Sequence, residues 1–425
     1  MKSIKRHNGL TEQKSVFDTE KLRGCLGTME PVAGRIVGAV ANSDTEYRKE
    51  QLFFLDPEGM TAALKAFVLH TGAEGALIIL REENGKEALL EAAEKAGLPL
   101  AVETGEMVLR TDHREDLHVP ADELYRAAEL LAGETPGVVL AVEDGALMEA
   151  DPEESVDSIL RDSGLWEAGS PKAVLTDHTF FTVEEILKMQ AKDLPGRSGV
   201  LRILKNTDCM VDRAAKELLI LRGKSCGRCT FCREGLVQLS GRIGQIQDAI
   251  AKGSETDLMS EIASAMRVSY HCTLGEDAPM PVLSLLEKFG DEVTAHIRRK
   301  ECPAGVCKAY LNYYIDPAKC AGSGACETVC PAGAIERKTG YTAVVDAFSC
   351  TRCGKCLEAC PEGAVRFISG KVPRNAGTPV RLKKVSAEVS ATAGADGEAA
   401  AAQEETAKRE RSGKRKRAFA KPVKK

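Results

Sequence analysis

The chain has 425 residues, a formal net charge of −5 and fifteen cysteines, a length that suits two or three domains. It lacks any run of about eighteen apolar residues able to span a bilayer, and its polar start, Met1–Gln13, does not read as a secretory signal. An odd number of cysteines in C-x-x-C runs, fourteen of them from Cys209 onward, argues for metal ligation in a reducing, cytoplasmic setting rather than a disulfide framework.

Residues 1–40 show little periodicity. From Pro57 to about Leu204, short apolar runs alternate with amphipathic stretches. Ala76–Leu80, Leu98–Val102, Val138–Val142, Ala173–Thr176 and Val200–Leu204 read as strands. Met60–His70, Lys86–Ala96, Asp122–Ala132, Val156–Asp162 and Val183–Met189 read as helices, an alternation that predicts α/β layers. Beyond Asp208, a plausible N-cap, the pattern turns helical: Met210–Leu221, Gly235–Lys252, Asp257–Val268 and Pro281–Phe289 form a small bundle. Residues 310–370 repeat with a 30-residue offset, Cys330-Pro-Ala-Gly-Ala-Ile335 being echoed by Cys360-Pro-Glu-Gly-Ala-Val365, as in the internal two-fold of a double-cluster ferredoxin fold.

Residues 371–425 hold 15 Lys+Arg against 6 Asp+Glu, leaving 43 against 57 for residues 1–370. A basic tail could touch nucleic acid or an anionic membrane. Its low complexity and scarcity of large apolar groups favour a disordered, solvated tail that meets an acidic subunit or nothing. No nucleic-acid partner is expected. The expected layout is an α/β region over 1–198, an all-α iron–sulfur domain over 199–308, an α+β ferredoxin-like domain over 309–370 and the tail over 371–425.

The run Cys350-x-x-Cys353-x-x-Cys356-x-x-x-Cys360-Pro361 reproduces the C-x2-C-x2-C-x3-C-P spacing of bacterial [4Fe–4S] proteins, in which the fourth cysteine serves the other cluster. The partner run, Cys320-x-x-Ser323-x-x-Cys326-x-x-x-Cys330-Pro331, has serine in its second position. One cluster should therefore use Cys350, Cys353, Cys356 and Cys330. The other should use Cys320, Cys326 and Cys360 with Ser323 in the remaining position, and be labile, [3Fe–4S] or absent, because a protonated hydroxyl is a poor iron ligand. A zinc knuckle is the alternative. Cys226-x-x-Cys229-x-x-Cys232 closes on one face of a further cluster, with Cys272 as the remote fourth donor. That spacing alone also suits zinc.

The residues S-C-G-x-C-x-x-C-R-E-G at 225–235, followed by C-x-L-G-x-x-A-x-x-P-V from Cys272, resemble the flavoprotein NADH-oxidising subunit of respiratory complex I. They also resemble the B subunits of electron-bifurcating hydrogenases and NAD-dependent formate dehydrogenases. The resemblance covers roughly residues 199–370 and implies that Cys226, Cys229, Cys232 and Cys272 hold a [4Fe–4S] cluster. The appended ferredoxin-like module points to the hydrogenase branch. In that branch, segments equivalent to those bearing Cys209, His296, Cys302 and Cys307 bind a zinc ion. The alternative for these cysteines is ordinary burial, and Cys25 is left as a structural residue.

The family binds FMN and NADH through a glycine-rich loop whose backbone amides approach phosphate. Nothing comparable exists here. The nearest echo, Leu22-Arg-Gly24-Cys25-Leu-Gly27-Thr28, has too few glycines, although Asn42-Ser-Asp44-Thr-Glu46 follows the family's flavin-contacting segment in outline. The expectation is a degenerate flavoprotein scaffold without FMN, a divergent flavin site being the alternative. His7, His70, His113 and His118 read as surface or core fillers apart from the clusters. Together these readings imply an iron–sulfur electron-transfer subunit of a multisubunit cytoplasmic oxidoreductase. Its expected partners are a thioredoxin-like [2Fe–2S] subunit, a catalytic oxidoreductase subunit and ferredoxin. An FMN-containing diaphorase and a non-redox assembly subunit are the rivals.

Overall fold

In the computed structural model, residues 2–12, 31, 33–83, 85–105, 115–164, 166 and 171–382 are described. They form a mixed α/β chain of two compact units, one spanning Met1–Asn312 with Phe367–Lys371, the other Tyr313–Arg366 with the residues from Val372 onward. Cys25, His113, the Leu22–Thr28 stretch and most of the basic tail lie outside the described residues.

The first unit opens on a four-stranded sheet of Leu100–Thr104, Ala76–Leu80, Ile36–Ala39 and Leu117–Pro120, in that spatial order, and every neighbouring pair is parallel. The order reverses between the strands at 36–39 and 117–120, the switch point where open α/β sheets leave a crevice beyond their strand ends. Ile36–Ala39, in the stretch without periodicity, is buried at all four positions. A central parallel strand packed on both faces has no polar alternation to display. Helix Pro57–Thr71 starts where the Asp56 carboxylate accepts from Gly59 N at 3.1 Å, satisfying a free amide of its first turn. It packs with Lys86–Ala96 and Ala121–Ala132 through a core that includes Leu52, Phe53, Met60, Leu64, Phe67 and Leu124. Burying each such side chain stabilises the fold by about 1.5–3 kcal/mol.

A second sheet orders Lys2–Ser3, Met148–Ala150, Val138–Val142, Val200–Lys205, Pro171–Thr176 and Thr179–Thr182. Only the pairing of Val200–Lys205 with Val138–Val142 is parallel. The chain leaves this sheet for helices Met210–Lys224, Thr230–Gln247, Glu255–Arg267 and Met280–Lys288. The expected cap Asp208 is displaced by one residue: Cys209 is the N-cap, while the Asp208 carboxylate accepts from Lys205 N at 2.5 Å and closes the preceding turn. Helices 230–247 and 255–267 approach closely at Gly235, where a Cβ would come within 2.3 Å of Met266 Sδ.

The second unit shows its internal repeat in hydrogen bonds. Asp316 N donates to Ala364 O and Asp346 N to Ala334 O, each at 2.8 Å. The Asp316 carboxylate accepts from Ala318 N and the Asp346 carboxylate from Phe348 N, each at 3.0 Å. Two short helices, Ala325–Thr328 and Lys355–Ala359, begin after Gly324 and Gly354, whose φ values of +83° and +81° suit glycine. Among the described residues, no helix is long and apolar enough to cross a membrane.

Candidate metal centres

Cys226 and Cys229 lie in the turn between two helices, and Cys232 lies in the first turn of the second. Gly227, at φ +75°, bends the inter-helix turn, and Arg233 donates to Gly227 O at 2.9 Å, holding the turn against the helix it opens. Cys229 is the N-cap of the Thr230–Gln247 helix, so Cys229 and Cys232 sit at its positive end, where anionic sulfur is favoured. Cys272 is the N-cap of Thr273–Asp277. Arg197 clamps that segment, donating to Thr273 O at 3.2 Å, Asp277 at 2.8 Å and Glu276 at 2.6 Å. The charges of Cys226, Cys229 and Cys272 all reach Cys232. Burial, with the charges of Cys272, Cys229 and Cys226 and against a hydrogen bond from Ser225, pushes the Cys232 thiol up. Burial and then Cys272 and Cys226 do the same to Cys229. The donor set suits a cationic iron core, whose positive charge would offset the mutual repulsion of the thiolates.

Cys209, His296, Cys302 and Cys307 are all buried, with donor atoms within 4.8 Å of one another. Cys209 Sγ lies 3.4 Å from His296 Nε2 and 3.6 Å from Cys307 Sγ. Tetrahedral zinc with Zn–S near 2.3 Å requires sulfurs roughly 3.8 Å apart, so this cage fits a single ion. His296 Nδ1 donates to Glu292 O at 2.7 Å, which turns the Nε2 lone pair toward the thiols. Tyr310 packs edge-on against the imidazole, ring centroids 5.0 Å apart. Without a cation the thiols share protons unequally. Cys302 is held well below the ordinary thiol range by hydrogen bonds from Cys209 and Cys307, and Cys209 well above it by its bonds to the same neighbours and by burial.

In the second unit, Cys330 joins Cys350, Cys353 and Cys356 in lining one small cavity. The Cys356 thiol is pushed up to about 11 by burial, then by Cys350, Cys330 and Cys353. Cys326 is pushed up by burial, then by Cys360 and, more weakly, by Cys320. Each run thus sends its last cysteine to the other's set. Cys330 Sγ accepts from Ala334 N and Cys360 Sγ from Ala364 N, both at 3.3 Å. Ser323 is exposed, and its hydroxyl donates to Glu362 at 3.5 Å.

A cavity of about 510 Å³ opens at the switch point of the four-stranded sheet, lined by Ala39, Asn42, Asp116, His118, His271 and Cys272 among others. His118 therefore shares a cavity with Cys272, contrary to the expectation that it lies apart from the clusters; parallel pairing of Leu117–Pro120 with Ile36–Ala39 carries it there. Among the described residues the lining contains carboxylates at Asp116 and Glu276, which pair with Arg35 and Arg197. Asp44 turns away from this cavity. Its carboxylate accepts from Arg48 N at 3.2 Å and Lys49 N at 3.1 Å, and burial pushes it up to about 6.

One constellation was invisible in the sequence. His178 Nδ1 lies 2.7 Å from Glu217 and Nε2 lies 3.1 Å from Ser43 O. Burial would lower His178, but the Glu217 carboxylate prevails and holds it above its usual range. Its partners stand 39 and 135 residues away, so no local spacing marks it.

The sulfur sets define an iron–sulfur protein with two binding modules. Residues 196–296 match the NADH-ubiquinone oxidoreductase-F iron–sulfur binding region, and residues 312–361 match a 4Fe-4S dicluster domain. The chain is 39% identical over 148 residues to the NADP-reducing hydrogenase subunit HndC of Solidesulfovibrio fructosivorans, covering 34% of this chain and 29% of that protein. It is 30% identical over 103 residues to the F subunit of NADH-quinone oxidoreductase from Mycobacterium tuberculosis (strain ATCC 25618 / H37Rv), covering 24% and 23%. The matched stretch therefore spans less than a third of either relative. The fold resembles that in the crystal structure of an NAD+-reducing [NiFe]-hydrogenase in the air-oxidized state, with a TM-score of 0.55 and 16% identity over 66% of this chain and 59% of that one.

Proposed function

We propose that the chain is an iron–sulfur electron-transfer subunit of a multisubunit NADH-dehydrogenase- or hydrogenase-type oxidoreductase. The observation that carries the reading is the convergence of Cys226, Cys229, Cys232 and Cys272 at helix N-termini. These four hold one [4Fe–4S] cluster, and Cys350, Cys353, Cys356 and Cys330 hold another; bound there, the clusters supply one-electron carriers whose potentials follow thiolate count, burial and hydrogen bonds to sulfur. Amides of Ala334, Ala364 and Arg352 donate to the sulfurs of Cys330, Cys360 and Cys350. Each such bond stabilises the more negative, reduced state. Cys209, His296, Cys302 and Cys307 hold a structural zinc ion, a closed site with no open position for chemistry. The relatives' names describe subunits, so the partners are other subunits: a catalytic oxidoreductase subunit and a [2Fe–2S] thioredoxin-like one, with ferredoxin as a soluble donor.

The cavity beside Cys272 favours a second reading, an FMN-containing diaphorase whose flavin sits at the switch point. The first reading expects no flavin there. Anaerobically purified protein decides between them. Bound iron without flavin and without NADH-dependent dye reduction supports the relay; stoichiometric flavin with dye reduction supports the diaphorase.

A further inference from the structure

The two halves of the ferredoxin-like repeat differ at two positions that face one another. At the 30-residue offset, Ser323 stands where the other half has Cys353, and Glu362 stands where it has Ala332. Glu362 Oε2 lies 3.5 Å from Ser323 Oγ and 3.8 Å from Cys360 Sγ. The carboxylate therefore hangs beside the corner at which the Cys320, Cys326 and Cys360 set lacks a thiol. The other half offers a methyl group at the equivalent place and needs no substitute, because its four cysteines are complete.

The two oxygen donors at this corner are not equivalent. A carboxylate offers iron a hard, anionic oxygen, whereas a serine hydroxyl binds it as a neutral, weak donor. A hard anionic oxygen is the better partner for iron of the two. We propose that Glu362, rather than Ser323, supplies the fourth ligand to the cluster held by Cys320, Cys326 and Cys360, the Ser323 hydroxyl donating a hydrogen bond that orients the carboxylate. The proposal rests on reading this module as a two-cluster carrier.

It makes the carboxylate-bound iron the exchangeable one. A [3Fe–4S] core in its one-electron-reduced, neutral state takes up Fe2+ to give [4Fe–4S]2+, with charge conserved and no further electron required. Ser323 and Glu362 are both exposed, so the ion has a path from solvent, and replacing either leaves the packed core intact.

The test uses the full-length protein, reconstituted anaerobically, reduced with dithionite, supplied with Fe2+, challenged with a ferrous-iron chelator and then reoxidised with ferricyanide. Iron counts and the EPR signal of oxidised [3Fe–4S] are the readouts. The expected result is that Ser323→Ala keeps the fourth iron of this cluster. Glu362→Gln should lose it at least about tenfold faster and accumulate the [3Fe–4S] signal. Loss of that iron in Ser323→Ala with retention in Glu362→Gln would assign the ligand to serine and overturn the proposal. Retention at the unsubstituted rate in both variants would assign it to solvent, with the same consequence. Absence of any second cluster in the unsubstituted protein would overturn the two-cluster reading as well. A second cluster that loses iron identically in all forms would overturn only the assignment of Glu362.

Discussion

The α/β region and the cysteine-bearing regions treat their buried ionisable groups in opposite ways. In the former, charges are paired off within the chain. His7 meets Asp56 at 2.5 Å, Lys49 meets Asp122 at 2.5 Å, and Lys5 sits among Glu129, Glu134 and Glu149. In the latter, thiols face thiols, as at Cys209, Cys302 and Cys307, which gather with His296. The contrast teaches that the first region pairs its charges with its own side chains, while the second gathers like donors in sets that suit a cation.

The largest effect should follow from removing such a cation. On the proposed zinc reading, chelating the ion from the Cys209/His296/Cys302/Cys307 cage, or substituting Cys302→Ser, should destabilise the helical bundle by several kcal/mol, since structural zinc contributes about 10–16 kcal/mol in small zinc-binding peptides. Thermal denaturation with and without chelator measures it, and an unchanged midpoint would mean that the four residues are merely buried. Cys272→Ala should abolish one cluster outright, read as the loss of about four irons per chain.

Next come breaks in the packing around the thiol sets rather than in the sets themselves. Glu217→Ala leaves His178 buried without its carboxylate and should cost about 3–5 kcal/mol, measured by denaturant unfolding. Gly235→Ala drives a methyl group into Met266 and should cost about 1–3 kcal/mol, with iron content preserved.

The smallest effect is a pH dependence at Glu129. Burial first, then Glu149, pushes its carboxyl up to about 7. The folded state therefore binds this proton more tightly than the unfolded chain. Stability should fall as pH rises from about 4.5 through about 7 by on the order of 1–2 kcal/mol. Glu129→Gln, which still accepts from Gly137 N, should flatten that slope; an unchanged slope would place the proton elsewhere.

The two iron–sulfur binding regions were legible in the sequence because a loop that grips a cluster is short and its donors recur at fixed spacing. The crossing of Cys330 and Cys360 followed from the same repeat. Strand Ile36–Ala39 was not legible, because four residues buried on both faces carry no period. The cavity at the switch point was hidden for a related reason: Asp116, His118 and Cys272 meet only through parallel pairing and helix placement. Glu362 also escaped notice, since only the folded loop sets it against Ser323.

An EPR-monitored redox titration of the anaerobically reconstituted full-length chain bears most directly on its role as a carrier of electrons. The expected result is at least two distinct [4Fe–4S] signals that appear and vanish reversibly with potential, within the roughly −700 to +450 mV span of such centres. Iron that never changes oxidation state across that span, or zinc in place of iron, would contradict it.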